Sequence, residues 1–208
     1  MNIKKLAYSV LATSIIAIFA TPANATLVLT LNAGGTNVVT VTDTANTGSV
    51  SYFGALGAWL FNITGGVSTK TGANAVTSLD LTSLNVSGGS GTLIITLTDN
   101  SFTSPSGIFS TVSTQFGGVA GGTISLSSLL NGISVSSFFA GSGPFAGANN
   151  AIANTTGGFS LSQIATITHK IGGNTSFNVI TAVPEPATLG LLGLGLIGLG
   201  FMRRRFMV

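Results

Sequence analysis

The stretch that decides the fold is FSLSQIATITH, which runs from Phe159 to His169. Apolar residues alternate there with serine and threonine, and a period of two turns one face of a strand toward a core and the other toward water. The pair Gly172-Gly173 follows and marks a turn. We therefore predict a half-buried β-strand over this stretch, the clearest strand in the second half of the chain.

The same alternation recurs upstream. Roughly ten short strands, with a turn signal about every ten residues, are typical of an all-β fold, here an antiparallel β-sandwich or jelly-roll-like domain. A solenoid is the lesser alternative, because no repeat of fixed period is present. The other alternating segments are Thr26–Asn32, Asn37–Asp43, Ser49–Phe53, Ala58–Thr64, Ser78–Ser87, Thr92–Asp99, Ile108–Phe116, Thr123–Leu129 and Gly132–Phe139.

Some stretches depart from this pattern. Residues 141–158 lack alternation, which predicts a long loop or a loose crossover. Residues 99–107 are irregular as well, and Pro105 is expected to end any strand there. The pairs Gly65-Gly66 and Gly117-Gly118 are interpreted as turns between strands.

The first 25 residues have the pattern of a secretory signal peptide that forms a helix. A positive start and an apolar run lead to a small-x-small site, so signal peptidase is an expected partner. An uncleaved anchor helix is the alternative, which the strand-like sequence that follows disfavours. The residues concerned are Lys4, Lys5, the run Leu6–Ala20, the cleavage residues Ala23 and Ala25, and Thr26 as the new N-terminus.

Charge is sparse in the body of the chain. The formal net charge of +3 comes from the two ends, because residues 26–182 hold only Asp43, Lys70, Asp80, Asp99 and Lys170. A nucleic-acid partner would require a cluster of basic residues on the folded part, so that partner class is excluded. Cysteine is absent, and stability must come from the hydrophobic core of one domain over residues 26–182.

Few residues could carry catalysis. His169 is the only histidine, and its place at a strand end predicts a surface residue and not a general base. The three aspartates lie at expected strand ends or turns, where a pair of opposed carboxylates is not indicated. The sequence therefore predicts a protein without enzymatic activity.

Metal and cofactor binding are also weakly indicated. One histidine cannot build a zinc site. Calcium accepts carboxylate and amide oxygens, so Asp99-Asn100 is the best local candidate, with an ordinary turn as the favoured interpretation. No metal or cofactor is expected.

Aromatic residues raise a second functional hypothesis. Tyr52, Phe53, Trp59 and Phe61 lie close together in the sequence, and sandwich modules can bind sugars on exposed aromatic rings. In a strand Trp59 and Phe61 would share one face, with Leu60 on the other. That face is expected to be core, and Trp59 and Tyr52 are the candidates for sugar contact under this second hypothesis.

The last residues form an ordered series. Two prolines fix the backbone of Val183–Pro186, which is expected to be extended and outside any sheet. The uncharged run of residues 187–202 would span about 24 Å as a helix, enough for a short transmembrane helix. Arg203, Arg204 and Arg205 would then hold the C-terminus in the cytoplasm, leaving the domain outside.

This order resembles the PEP-CTERM sorting signal of exported Gram-negative proteins, with Pro184, Glu185 and Pro186 as the recognition residues of the segment 183–208. The resemblance implies processing by exosortase, a membrane-embedded transpeptidase, and a link to exopolysaccharide and biofilm matrix. A permanent single-span anchor is the alternative. We predict an exported surface or matrix protein, with a carbohydrate-binding module as the second hypothesis.

Overall fold

The computed structural model describes residues 27–70 and 76–184. Several predictions concern residues outside these ranges, namely the signal peptide over residues 1–25 with Ala23, Ala25 and Thr26, the recognition residues Glu185 and Pro186, the run 187–202, and Arg203, Arg204 and Arg205. In the described ranges all regular structure is β-strand, and we find there no helix that could span a bilayer.

The described residues form twelve strands, where the sequence predicts roughly ten. In chain order they are β1 (Leu27–Asn32), β2 (Val38–Thr42), β3 (Ser49–Leu56), β4 (Trp59–Thr69), β5 (Thr77–Gly88), β6 (Gly91–Phe102), β7 (Ser110–Ala120), β8 (Thr123–Leu130), β9 (Ile133–Ala140), β10 (Gly143–Ala153), β11 (Phe159–His169) and β12 (Gly173–Val183).

The strands form two six-stranded sheets that pack face to face. The first sheet has the order β2-β1-β6-β11-β8-β9, and the second has the order β10-β7-β12-β5-β4-β3. Neighbouring strands in both sheets are antiparallel. The predicted antiparallel β-sandwich is thus confirmed in the described residues.

Strand β11 shows how the sequence pattern produces this arrangement. Buried and partly exposed residues alternate along its whole length, and Leu161, Ala165 and Ile167 are fully buried. Gln163 also points inward. Its Nε2 donates hydrogen bonds to the carbonyl oxygens of Leu79 and Val179, which lie in the opposite sheet, so this polar side chain links the two sheets through the core.

The prediction for residues 141–158 is wrong, because most of this segment forms β10. Its small residues give little strand propensity, but β10 pairs with β7 over its full length. The glycines serve packing here. A Cβ at Gly147 would lie 2.5 Å from the Phe116 ring, so any larger residue here would force that ring to move.

Other glycines also lie inside strands where turns were predicted. Gly65 and Gly66 belong to β4, and a Cβ at Gly66 would overlap the side chain of Leu97. Gly117 and Gly118 belong to β7. Strand β6 likewise continues through Phe102, into the segment predicted to be irregular.

The two ends of the sandwich differ in what they carry. At the end that we call the tail end, β12 finishes at Val183, β1 begins at Leu27, and β7 begins at Ser110. The register places Ala182 opposite Ser113 in one sheet and Leu27 opposite Asp99 in the other, and a hydrogen bond from Ser68 to Asp99 joins the two sheets at this end. The opposite end, which we call the far end, carries the turn between β11 and β12.

Candidate functional site

The first candidate site is the place where the chain leaves the sandwich. Val183 is the last residue of β12, pairs with Thr77 of β5, and is fully buried. Pro184 has no amide donor, and strand β12 ends at the residue before it. The prediction that Val183 lies outside any sheet is therefore wrong. A residue before proline favours extended geometry, which a strand residue also has.

The neighbouring loop supports this exit point. The Thr77 hydroxyl donates a 2.6 Å hydrogen bond to the carbonyl oxygen of Ser104. Thr77 is itself buried, so the partner of Val183 is held by a second segment. The folded sandwich consequently extends to Val183, directly before the Pro-Glu-Pro residues.

A buried carboxylate lies at the same end. Asp99 has no exposed surface and accepts hydrogen bonds from the hydroxyls of Ser68 (2.5 Å) and Ser101 (2.8 Å). Lys70 Nζ lies 2.9 Å from Asp99 Oδ2 and 5.2 Å from the centre of the Phe102 ring. Because Ser68 belongs to β4 and Asp99 to β6, the cluster joins the two sheets.

The environment of Asp99 keeps it ionised. Burial would raise the pKa of its carboxyl, but the hydrogen bonds from Ser68, Lys70 and Ser101 outweigh burial and hold the pKa below its usual value. Both oxygens are engaged, and the ammonium of Lys70 occupies the place that a cation would take. The Asp99-Asn100 calcium candidate thus lies in an internal ion pair, and the described residues contain no cluster of three potential metal ligands.

The other two aspartates lie elsewhere. Asp43 caps the loop after β2, accepting hydrogen bonds from the amides of Thr47 (3.0 Å) and Gly48 (2.6 Å), and these bonds lower its pKa. Asp80 lies on the outer face of β5, where burial raises its pKa. Gly48 connects Asp43 to the Asp99 cluster, since its carbonyl oxygen accepts a hydrogen bond from the Ser68 amide. None of these arrangements sets two free carboxylates against a common substrate.

His169 is buried, so the prediction of a surface histidine is wrong. It continues the inward-facing series of β11, and its ring packs against Trp59 with 4.9 Å between ring centres. Its Nε2 lies 2.9 Å from the Thr175 hydroxyl, whereas Nδ1 has no hydrogen-bond partner. Without an aspartate partner or access to solvent, this imidazole lacks the geometry of a general base.

Folding should therefore depend on pH through His169. Burial lowers the pKa of its imidazole and outweighs the opposing effect of the Gly88 backbone. The unfolded chain then binds the proton first, and we expect stability to fall as pH drops below about 6.5, by at most about 1.4 kcal/mol per pH unit. Urea unfolding between about pH 7 and pH 5 checks this. His169→Leu should remove the pH dependence in this window, and an unchanged dependence would contradict the assignment.

The aromatic candidates lie mainly in the core. Trp59 and Phe61 are both 2% exposed, and Leu60 between them is 58% exposed, as the alternation predicts. Tyr52 packs edge-on against Phe61, with 5.4 Å between ring centres, and donates a hydrogen bond to the Ala55 carbonyl oxygen. The Trp59 indole therefore offers no face to a sugar. In the described ranges the large exposed aromatic rings are Phe53, Phe109 and Phe139.

Hydroxyl groups cover much of the outer face of the first sheet. Thr92 and Thr168 on neighbouring strands lie 3.0 Å apart at their hydroxyls, as do Thr98 and Ser162. The register places Thr30, Thr40 and Thr96 in one row across three strands. None of the charged residues in the described ranges lies in these rows, so the rows are polar and neutral.

Two grooves open at the tail end. One of about 450 Å³ is lined mostly by polar residues and glycines around Asn100, Asn131 and Ser160. The other, of about 430 Å³, is lined largely by apolar side chains of β9 and β10, including Ile133, Val135 and Ile152. Sequence reasoning missed this second groove, because β10 is not predicted as a strand.

Known structures show distant similarity. The chain is 13% identical to TmCBM61, solved with beta-1,4-galactotriose, over 67% of this chain and 90% of that one, with a TM-score of 0.37. The chain is 14% identical to the carbohydrate-binding module CBM36, solved with calcium and xylotriose, over 64% of this chain and 98% of that one, with a TM-score of 0.30. With CBM35 from Paenibacillus barcinonensis the identity is 13%, over 64% of this chain and 92% of that one, and the TM-score is 0.26.

The search of curated proteins gave no match. A family model described as the PEP-CTERM protein-sorting motif matches residues 182–205. Its first two residues, Ala182 and Val183, are the last two of β12. The resemblance seen in the sequence is thereby confirmed, and the chain carries a PEP-CTERM protein-sorting motif that begins inside its β-sandwich.

Proposed function

We propose that this protein is an exported, exosortase-sorted component of the cell surface or extracellular matrix without catalytic activity. The observation that carries the proposal is the sorting motif at residues 182–205, which continues directly from the last strand of the sandwich. PEP-CTERM motifs imply processing by exosortase, and the fold leaves no linker between sandwich and motif.

The proposed route follows from the order of the segments. Signal peptidase removes residues 1–25, the run 187–202 holds the precursor in the inner membrane, and exosortase recognises Pro184, Glu185 and Pro186. Arg203, Arg204 and Arg205 keep the tail in the cytoplasm. Because the sandwich then lies outside, removal of the tail would deliver it to the surface or matrix.

The state of the titratable groups supports a structural role. Asp99 is paired with Lys70, Asp43 caps a loop, and His169 is packed in the core. The neutral hydroxyl rows on the first sheet are suited to hydrogen bonding with exopolysaccharide in a biofilm matrix. These groups stabilise the fold and are not arranged for proton transfer.

Carbohydrate recognition by a defined site is the second candidate function. The exposed ring of Phe53, 77% accessible on β3, favours it, because an exposed aromatic face can stack on a sugar. Saturable binding on a glycan array that Phe53→Ala abolishes would support this candidate over a purely structural role.

Mass spectrometry of the protein from native cells tests the main proposal. We expect a mature N-terminus at Thr26 and a C-terminus close to Pro184–Pro186. An intact C-terminal peptide ending at Val208 would contradict exosortase processing and favour a permanent anchor. A different N-terminus would contradict the signal-peptide prediction.

A further inference from the structure

The length of chain between sandwich and tail restricts how the protein can sit on a membrane. Val183 is buried in β12, and the uncharged run begins at residue 187. Four residue steps span about 14 Å at full extension. If the run is held in the bilayer, as the proposed function requires, the tail end must lie against the membrane surface.

The tail end exposes apolar side chains. Ile108 is 65% exposed and Phe109 is 80% exposed, and both directly precede β7, whose Ser113 is opposite Ala182 of β12. Ile133 and Ile152 are 71% and 72% exposed and line the groove of about 430 Å³ described above.

These residues belong to one end of the molecule. Ile133 follows the turn after β8, whose Asn131 side-chain oxygen accepts a 2.8 Å hydrogen bond from the Ser160 amide. Ile152 of β10 pairs with Thr111 of β7, and Thr111 is two residues after Phe109 in the sequence. Other exposed apolar residues lie near the far end, among them Val119, Phe139 and Ile171. What distinguishes the tail end is that Ile133 and Ile152 line an apolar groove and that the tail leaves from this end.

In the described residues of this end, the one basic side chain is paired and the carboxylates are held by internal contacts. Lys70 is paired with Asp99, and the Asp43 carboxylate accepts hydrogen bonds from Thr47 and Gly48. An attraction that depends on anionic lipid requires free basic residues, and the described part of this end offers none. The surface therefore fits a lipid interface through apolar contact.

We infer that the tail end of the sandwich is a lipid-contacting surface, in which Ile108, Phe109, Ile133 and Ile152 rest in the bilayer interface while the tail is attached. Loss of the tail releases the tether and lets this surface leave the membrane. The inference rests on the proposed function, because it requires the tail to be in the bilayer.

The absence of cysteine allows single-site labelling of the full chain. Ser106→Cys at the tail end and Ser142→Cys at the far end replace exposed serines, and each carries an environment-sensitive fluorophore. The protein is reconstituted in phosphatidylcholine vesicles whose upper acyl chains carry bromine as a quencher. Leu194→Cys reports whether the tail is in the bilayer.

We expect quenching at positions 194 and 106 and none at 142, with the same result when anionic lipid is added. No quenching at 194 would overturn both the proposed membrane intermediate and this inference. Quenching at 194 without quenching at 106 would overturn the lipid contact alone. A blue shift at 106 without quenching would indicate a second copy or another protein on this end and would also overturn it.

A variant separates contact from simple proximity. Ile108→Ser with Phe109→Ser removes two exposed apolar side chains, so the fold should be kept, which circular dichroism checks. We expect quenching at position 106 to decrease strongly in this variant. Unchanged quenching would mean that the short tether alone holds the end near the membrane, and would overturn the inference.

Discussion

Replacing Glu185 by alanine is expected to leave the protein unprocessed in the inner membrane. Glu185 is the only carboxylate of residues 182–205, and it stands between two prolines that fix the backbone around it. In this variant, the short peptide that the enzyme recognises has lost its only negative charge. Immunoblots of membrane and released fractions, with an antibody against the sandwich domain, should show a nearly complete shift to the membrane-bound precursor.

Two controls make this result specific. Glu185→Gln keeps the shape and removes the charge, so it shows whether charge is what exosortase recognises. Asp80→Asn removes a carboxylate from the outer face of β5 and should be processed normally. Normal release of Glu185→Ala would count against recognition through this residue.

Replacing Trp59 by alanine is expected to destabilise the sandwich by about 3–5 kcal/mol. The indole is 2% exposed and packs against His169, so its removal leaves a cavity in the core. A loss of this size is a large part of the stability of a typical domain, which is about 5–15 kcal/mol. Urea unfolding followed by circular dichroism measures it.

Phe53→Ala is the matched control for this prediction. Phe53 is 77% exposed, so its loss should change the free energy of unfolding by no more than about 0.5 kcal/mol. If Trp59→Ala unfolds with wild-type stability, the packing of this part of the core is not as described. The contrast also shows why Trp59 substitutions cannot serve as probes of sugar binding.

The sequence predicts the fold best where apolar alternation is strong. Strand β11 is such a case, because its buried face is set by Leu161, Ala165 and Ile167 within an uninterrupted stretch. Strand β10 is the opposite case. Alanine, glycine and asparagine dominate it, and its pairing with β7 decides its conformation, which no local pattern reveals.

The candidate site was predictable only in part. The sorting motif could be recognised because the order of its local elements is informative, whereas the recognition role of Pro184, Glu185 and Pro186 stays a prediction. His169 is buried because it falls on the inward-facing side of the alternation along β11. The alternation contains this information, but the position of His169 at the strand end suggested exposure instead. The exposure of Phe109 depends on where β7 begins, which the sequence pattern does not fix.

The position of β12 has a consequence for the timing of export. In the second sheet β12 lies between β7 and β5 and is hydrogen-bonded to both. Until it arrives, the β10-β7 pair and the β5-β4-β3 group have no common neighbour. A chain that crosses a membrane from its N-terminus can therefore complete this sheet only after Val183 has emerged. On the proposed export route, Pro184 would therefore reach the processing enzyme just as the sandwich becomes able to close.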